Sequence, residues 1–391
     1  MKLVFYSVVL NHHQAILADI FHSMLGPDYT FIETAPVSDT KGATEDYSSR
    51  PYLLRAWESA QSRERAMELA LSADCCVFSG VQALPFQRER LKRGLLSLDM
   101  SERWLKRGFI NLFSPTIFKM FLAYYLGGWT RKPLYKLCCS AFAASDHRKL
   151  GMYRDRCYKW GYFTRVEKVD VAESQDGFTS NADSTPLMWC ARYLLLKHPE
   201  LPLLVAARLK AEGYRFTLDM YGGGEYEPAA RRMAESLGIS DVVQFVGNRP
   251  NDELLADMRR HSIFLFTSDR NEGWGAVANE SMANGCVLVA SDAIGSSPYL
   301  IKDGVTGLTF RSSRTSCSFG NPDRDALDSL YEKVKWLLDN PVEMDNIRSH
   351  SIMQMQKLYN PMTAAKRLLT LIDCLQNDSD TEFIDGPCSK A

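Results

Sequence analysis

The chain has 391 residues, of which 46% are hydrophobic and 24% charged. That is a soluble globular balance, too long for one ordinary core and suited to two domains of roughly 150–200 residues. The formal net charge of −1 argues against a dedicated nucleic-acid binder, and ten cysteines without a Cys-x-x-Cys pair or a histidine cluster read as buried free thiols of a reducing cytosol, not as a metal site.

Charge is spread unevenly. Residues 1–170 hold 24 Lys/Arg against 17 Asp/Glu, and the remainder holds 22 against 30. A basic half and an acidic half suit two domains with different partners, although solvated surfaces scattered along the chain give the same count. In chain order, Leu3–Leu10 reads as a first strand and is too short for a leader. A helix follows over His13–Leu25, a strand over Thr30–Ile32, a helix over Ala56–Ala70 and a buried strand over Cys75–Ser79. The basic cluster Arg88, Arg90, Lys92, Arg93, Arg103, Lys106 and Arg107 precedes an apolar stretch, Phe109–Trp129, which Ser114, Pro115, Lys119, Gly127 and Gly128 interrupt. The stretch is a poor membrane span. Two readings of the cluster stand: a solvated face, or a surface for anionic membrane that receives a lipid-linked acceptor. The expected location is cytoplasmic, or peripheral on the inner membrane face.

Residues 172–186 are polar and read as a linker. Strands over Leu187–Cys190, Phe216–Tyr221, Val243–Val246, Ser262–Thr267 and Val287–Ser291 then alternate with helices over Leu201–Glu212, Pro228–Leu237, Asn251–Arg260 and Ala276–Asn284. This alternation predicts a parallel sheet in a Rossmann-like domain. Ala326–Leu338 and Met362–Leu375 are closing helices. The division expected is 1–171, a linker over 172–186, 187–360, a helix over 361–376 packing back on the first domain, and a flexible tail over 377–391.

The chemistry concentrates after the Ser262–Thr267 strand. Glu272-Gly273-Trp274-Gly275 stands where a strand hands over to a helix, and Glu280 lies one turn into that helix. Free amides and the positive helix end there suit a diphosphate. A carboxylate accepts two hydroxyl protons at once, so Glu280 suits a vicinal diol such as a ribose. Glu272 is placed to bond hydroxyls near the phosphate. Arg192 and Lys197 follow the Leu187–Cys190 strand and supply charge for a diphosphate leaving group. Gly222, Gly223 and Gly224 follow another strand and permit close backbone approach, or form a plain turn. Trp274 is either core or a stacking platform. His13, at a helix start, is an active-site candidate in the first half.

With Arg192-x(4)-Lys197, Phe245-Val246-Gly247, Glu272-x(7)-Glu280, Ala283-Asn284-Gly285 and Asp303-Gly304-Val305-Thr306-Gly307 in order, the sequence resembles the family-4 glycosyltransferases of the GT-B fold, of the bacterial surface-polysaccharide type. The resemblance implies an α/β protein of two Rossmann-like domains whose parallel sheets face across a cleft, the first on the acceptor side and the second binding a nucleotide sugar. It implies that Arg192 and Lys197 hold the donor diphosphate, Glu272 the donor sugar and Glu280 the ribose. Amides around Gly273, Trp274 and Gly275 then support the donor, and the turn Val246-Gly247-Asn248 lies near the base. The reaction implied is retaining hexosyl transfer from a UDP- or GDP-sugar to a glycan or lipid-linked glycan, without cofactor or metal. Three positions depart from the pattern. Asn11-His12-His13 replaces a Gly-rich turn, Pro298-Tyr299 replaces Pro-Glu, and Lys197-His198 replaces Lys-Gly. A nucleotide-sugar epimerase or an inactive subunit of an assembly complex are the competing readings. No Gly-x-Gly-x-x-Gly follows the first strand, which disfavours a dehydrogenase.

Overall fold

A computed structural model describes residues 1–36, 46–167, 184–312, 318–379 and 381–391. The chain divides into two compact units, Met1–Arg165 together with Leu358–Ala391, and Val166–Lys357. The linker expected over 172–186 falls outside the described residues up to 183, and Thr185 already opens a strand.

In the first unit the strands are β1 (Leu3–Ser7), β2 (Tyr29–Glu33), β3 (Leu53–Arg55), β4 (Cys75–Ser79), β5 (Ser97–Ser101), β6 (Lys106–Phe109), β7 (Leu134–Cys138) and β8 (Cys157–Lys159). All but β6 form one sheet in the order β3-β2-β1-β4-β5-β7-β8, with every neighbouring pair parallel. Buried on both faces, β1 and β4 read as unbroken apolar runs. Helix starts are marked by side-chain caps: Asn11 accepts from the Gln14 amide and Ser59 from the Ser62 amide. Arg90 is fully buried but satisfied, because its guanidinium donates to the carbonyls of Ala70, Ala73, Asp74 and Leu96. It staples the turns around β4 and β5 and loses no hydrogen bond by its burial.

Helix Pro361–Gln376 packs on helix His12–Leu25 within this unit. The segment after it differs from the flexible tail read from sequence. Lys159 N–H donates to the Ser389 carbonyl, Cys388 N–H to the Lys159 carbonyl and Ala391 N–H to the Cys157 carbonyl. Lys390 lies over the Tyr158 ring, Lys159 pairs with Asp385, and Cys388 is fully buried. The polar composition of 377–391 hides this attachment, since its strength comes from backbone pairing along the edge of β8.

The second unit carries β9 (Thr185–Cys190), β10 (Phe216–Tyr221), β11 (Val243–Gly247), β12 (Ile263–Phe266), β13 (Val287–Ser291) and β14 (Leu308–Phe310). They form a parallel sheet in the order β11-β10-β9-β12-β13-β14. Successive strands run outward from β9 on one side and from β12 on the other. The strand order therefore reverses between β9 and β12, and a crevice opens at their carboxyl ends. The four side chains of β12 are essentially inaccessible, each worth about 1.5–3 kcal/mol of burial.

Candidate active site

Loops after β9 and β12 meet at that crevice and are tied together by their backbones. Asp269 N–H donates to the Leu196 carbonyl at 2.9 Å. Thr267, just past β12, donates its hydroxyl to the Lys197 carbonyl at 2.6 Å and accepts from the Trp189 indole at 2.9 Å. These bonds fix the turn Leu195–Lys197 against the end of β12. Lys197 Nζ and Glu272 Oε2 form an ion pair across the two loops, and Ser268 donates to the same oxygen at 3.1 Å. Of the cations read from sequence, Lys197 is thus neutralised by a carboxylate. Arg192 is exposed, and its guanidinium has no partner among the described residues.

Glu280 sits in the short helix Val277–Ala283 and is 7% exposed. Burial pushes its carboxyl up to about 7, and no cation offsets that shift. The Cys190 thiol, at the end of β9, links the two charged groups. Burial and the Glu280 charge push it up to about 12 against the opposing Lys197 charge. Lys197, Glu272 and Glu280 therefore surround the end of one strand.

Glycines shape the walls. Gly275 has φ +79°, and a side chain there would run into the Phe266 ring. A β-carbon on Gly222, φ +107°, would collide with the Ala191 carbonyl oxygen, and one on Gly224 would lie 2.9 Å from the Tyr193 backbone. The Gly222–Gly224 turn is thus pressed against the Ala191–Tyr193 loop, with Tyr193 N–H donating to the Gly223 carbonyl. Gly222 N–H donates to the Gly247 carbonyl, and the Asn248 side chain faces Gly223. Gly223, Gly247 and Asn248 stand at the carboxyl ends of β10 and β11, and Glu272 through Gly275 follow β12. The amides of Gly273 and Gly275 carry no hydrogen bond among the described residues. Trp274 offers no stacking face: its indole is 1% exposed and donates to Asn279 at 2.8 Å. Its place in the site is through the backbone and the shape of the turn.

His198 was passed over in the sequence except as a departure. It holds a left-handed conformation, φ +47°. Its Nδ1 lies 2.8 Å from Glu200 and its Nε2 3.9 Å from Asp269. Burial lowers its affinity for a proton, but the nearby Asp269 carboxylate and the hydrogen-bonded Glu200 outweigh that and hold it at about 9. A charged imidazolium therefore clamps the Lys197 loop to the Asp269 loop.

His13 belongs to the first unit. Its ring stacks at 6.2 Å on Tyr162 and borders a cavity of about 20 Å³ lined also by Gln14, Leu17, Met100 and Trp160. Burial, with His12 beside it, lowers His13 to about 4, so it is neutral near pH 7. Among the described residues, no group of three or more His, Cys, Asp and Glu is arranged to hold a metal ion. No helix among them is long and apolar enough to cross a membrane.

A doubly wound parallel sheet with cations, carboxylates and close-packed glycines at its switch point makes the second unit a Rossmann-like unit, a class whose ligands bind at that place. Residues 173–320 match the family model described as "Glycosyl transferases group 1". Similar curated proteins include the D-inositol 3-phosphate glycosyltransferase of Frankia alni, 31% identical over 176 residues (43% of this chain, 42% of that protein). That of Streptosporangium roseum is 35% identical over 135 residues, 32% of this chain and 31% of its own. The chain spans about two fifths or less of the length of these relatives. Among solved structures, Anabaena Alr3699/HepE in complex with UDP aligns with TM-score 0.68 at 15% identity, covering 95% of this chain and 100% of its own. The lipopolysaccharide outer core galactosyltransferase WaaB aligns with TM-score 0.69 at 13% identity, covering 96% and 100%. Residues 173–320 are thus similar to the group 1 glycosyl transferases, and the chain has the GT-B fold.

Proposed function

We propose that the protein is a retaining glycosyltransferase that moves a hexosyl group from a UDP- or GDP-sugar to a glycan or lipid-linked glycan in surface polysaccharide synthesis. The observation that carries this reading is the pairing of Lys197 with Glu272 across the switch point, with the uncharged-prone Glu280 beside it. A diphosphate arriving there displaces Glu272 from Lys197 and draws in Arg192. Glu272 is then released to accept hydroxyl protons from the donor sugar, while Glu280 accepts the two ribose hydroxyls. In the transfer, the acceptor oxygen bonds to the anomeric carbon as the bond from that carbon to the diphosphate breaks. The acceptor proton passes to a diphosphate oxygen on the same face. Arg192 and Lys197 stabilise the charge that grows on the leaving group, which is work a divalent metal does elsewhere. Glu272 acts by positioning, with Ser268 still donating to its Oε2 once Lys197 has turned to the diphosphate.

Donor binding is tested with a panel of UDP-, GDP- and ADP-sugars. UDP is the first probe because the Alr3699/HepE structures hold UDP and UDP-glucose. A ligand at 100 times its dissociation constant should stabilise the protein by about 2.7 kcal/mol. Transfer should persist in EDTA and give a product with the donor's anomeric configuration. No shift with any nucleotide sugar sinks the reading, and so does donor epimerisation without acceptor.

A further inference from the structure

Bulky apolar side chains are exposed along one stretch of the first unit. Phe109, Ile110, Phe113, Phe118, Tyr125 and Leu126 stand in solvent, with Phe113 at 85% and Leu126 at 80% exposure. They lie on β6, the turn Ile110–Phe113 and the helix Pro115–Leu126. The other side of that helix is already spent: Met120, Phe121, Ala123 and Tyr124 pack into the core around Trp104 and Trp129. The helix therefore has a second apolar face that its own unit does not cover. A contiguous face of this kind marks an interaction surface.

Charge says what covers it. From Arg103 to Ser145 there are seven Lys/Arg and no Asp or Glu. Arg103, Lys106 and Lys136 are tied to Asp146, Glu102 and Asp99. Arg107, Lys119, Arg131 and Lys132 have no carboxylate partner among the described residues, and the first three are exposed. Apolar side chains that enter a hydrocarbon layer, flanked by cations at headgroup level, match a lipid surface carrying negative charge. A second copy of this chain would bring its own unpaired cations against these, and a nucleic acid would leave Phe113 and Leu126 uncovered.

We propose that the face formed by Phe109–Leu126 docks the protein on the surface of an anionic phospholipid bilayer. The inference rests on the first unit alone and stands apart from the donor reading. Each unpaired cation near such a surface contributes about 1 kcal/mol, or roughly fivefold in affinity.

The full chain is sedimented with vesicles of phosphatidylcholine alone or mixed with phosphatidylglycerol, at low and high salt. The wild type should pellet with the anionic vesicles and be released by salt. The double variant Phe113→Ser/Leu126→Ser should lose roughly tenfold or more in binding to them. Lys119→Ala/Arg131→Ala should lose about 25-fold, two fivefold steps. These side chains are exposed, so the unfolding temperatures, measured on the same samples, should be unchanged and report intact folding. Three results overturn the proposal: no wild-type binding to anionic vesicles, equal binding by wild type and both variants, or a concentration-dependent dimer that Phe113→Ser/Leu126→Ser abolishes.

Discussion

Replacing Glu280 by Gln separates what this carboxyl does for folding from what it does for a ligand. In the folded protein, burial raises it from an ordinary 4.5 to about 7. A group raised in this way binds its proton more tightly when folded than when unfolded. Its favourable contribution is therefore present below about pH 4.5, falls as pH rises toward 7, and is gone above it. The rise from 4.5 to about 7 corresponds to about 3 kcal/mol. Gln keeps the shape and does not titrate. At pH 8, Glu280→Gln should unfold later than wild type by up to about 3 kcal/mol, and the gap should close toward pH 5. Urea melts of both proteins across that range measure it, and groups common to both cancel in the difference. Donor affinity should move the opposite way, because charge-assisted bonds to a diol are worth about 1.5–3 kcal/mol each. Wild-type affinity should rise from pH 6 to pH 8, while that of the variant stays low and flat. A stability difference independent of pH refutes the buried, uncompensated carboxyl.

The Lys197 and Glu272 pair should behave as a unit: Lys197→Met and Glu272→Gln, singly and together, should show a coupling of about 0.5–3 kcal/mol in donor-free stability. Lys197→Met alone should lower turnover by about 10²–10³ through lost leaving-group stabilisation; additive melts and unchanged turnover contradict the site. His198→Gly tests the imidazolium clamp without adding strain at φ +47°. Because His198 is held near 9, above its ordinary 6.5, its contribution is whole below pH 6.5 and fades as pH rises through 9. Differential scanning at pH 6 and pH 10 should thus find the variant clearly weaker only at the lower pH. His147→Leu should be neutral or stabilising at pH 7, since both ring nitrogens are buried without a hydrogen bond and such groups cost about 1–3 kcal/mol. Burial and Lys136 hold His147 well below its ordinary value, so the gain of the Leu variant should widen as pH falls from 7 to 5. A loss that grows toward pH 5 contradicts this.

How far the molecule could be read from its sequence depended on where charge had been buried. β4 and β13 coincide with the apolar runs read from sequence because both faces of those strands are covered, and β10 coincides with its expected bounds because its alternating Phe216, Leu218 and Met220 are buried. β5 and β7 were invisible. Asp99 and Lys136 sit inside them as a buried pair, so neither strand shows an unbroken apolar run although both are buried in the sheet. Helix Pro341–Lys357 was missed for a similar reason, since Arg348 is among its buried residues. In the site, residue type and spacing were enough to pick out Lys197, Glu272 and Glu280. They could not show that Lys197 already has a partner, that the Trp274 indole is enclosed, or that His198 lies between Glu200 of its own stretch and Asp269 of the loop after β12. Those facts arise from loops that meet only after β9 and β12 pair.

The first unit is assembled from the two ends of the chain, and the second lies unbroken between them. On a ribosome the sheet from β1 to β8 emerges before the second unit, yet helix Pro361–Gln376 and the residues that pair with β8 emerge after it. Until then the helix His12–Leu25 lacks its packing partner and β8 presents a bare edge, while the second unit has all its parts and is free to fold. The order of completion is therefore inside-out: the middle of the chain finishes before its beginning. The interval between the two is when an uncovered strand edge and the apolar face at Phe113 and Leu126 are exposed together, the state most open to aggregation or to capture by a chaperone.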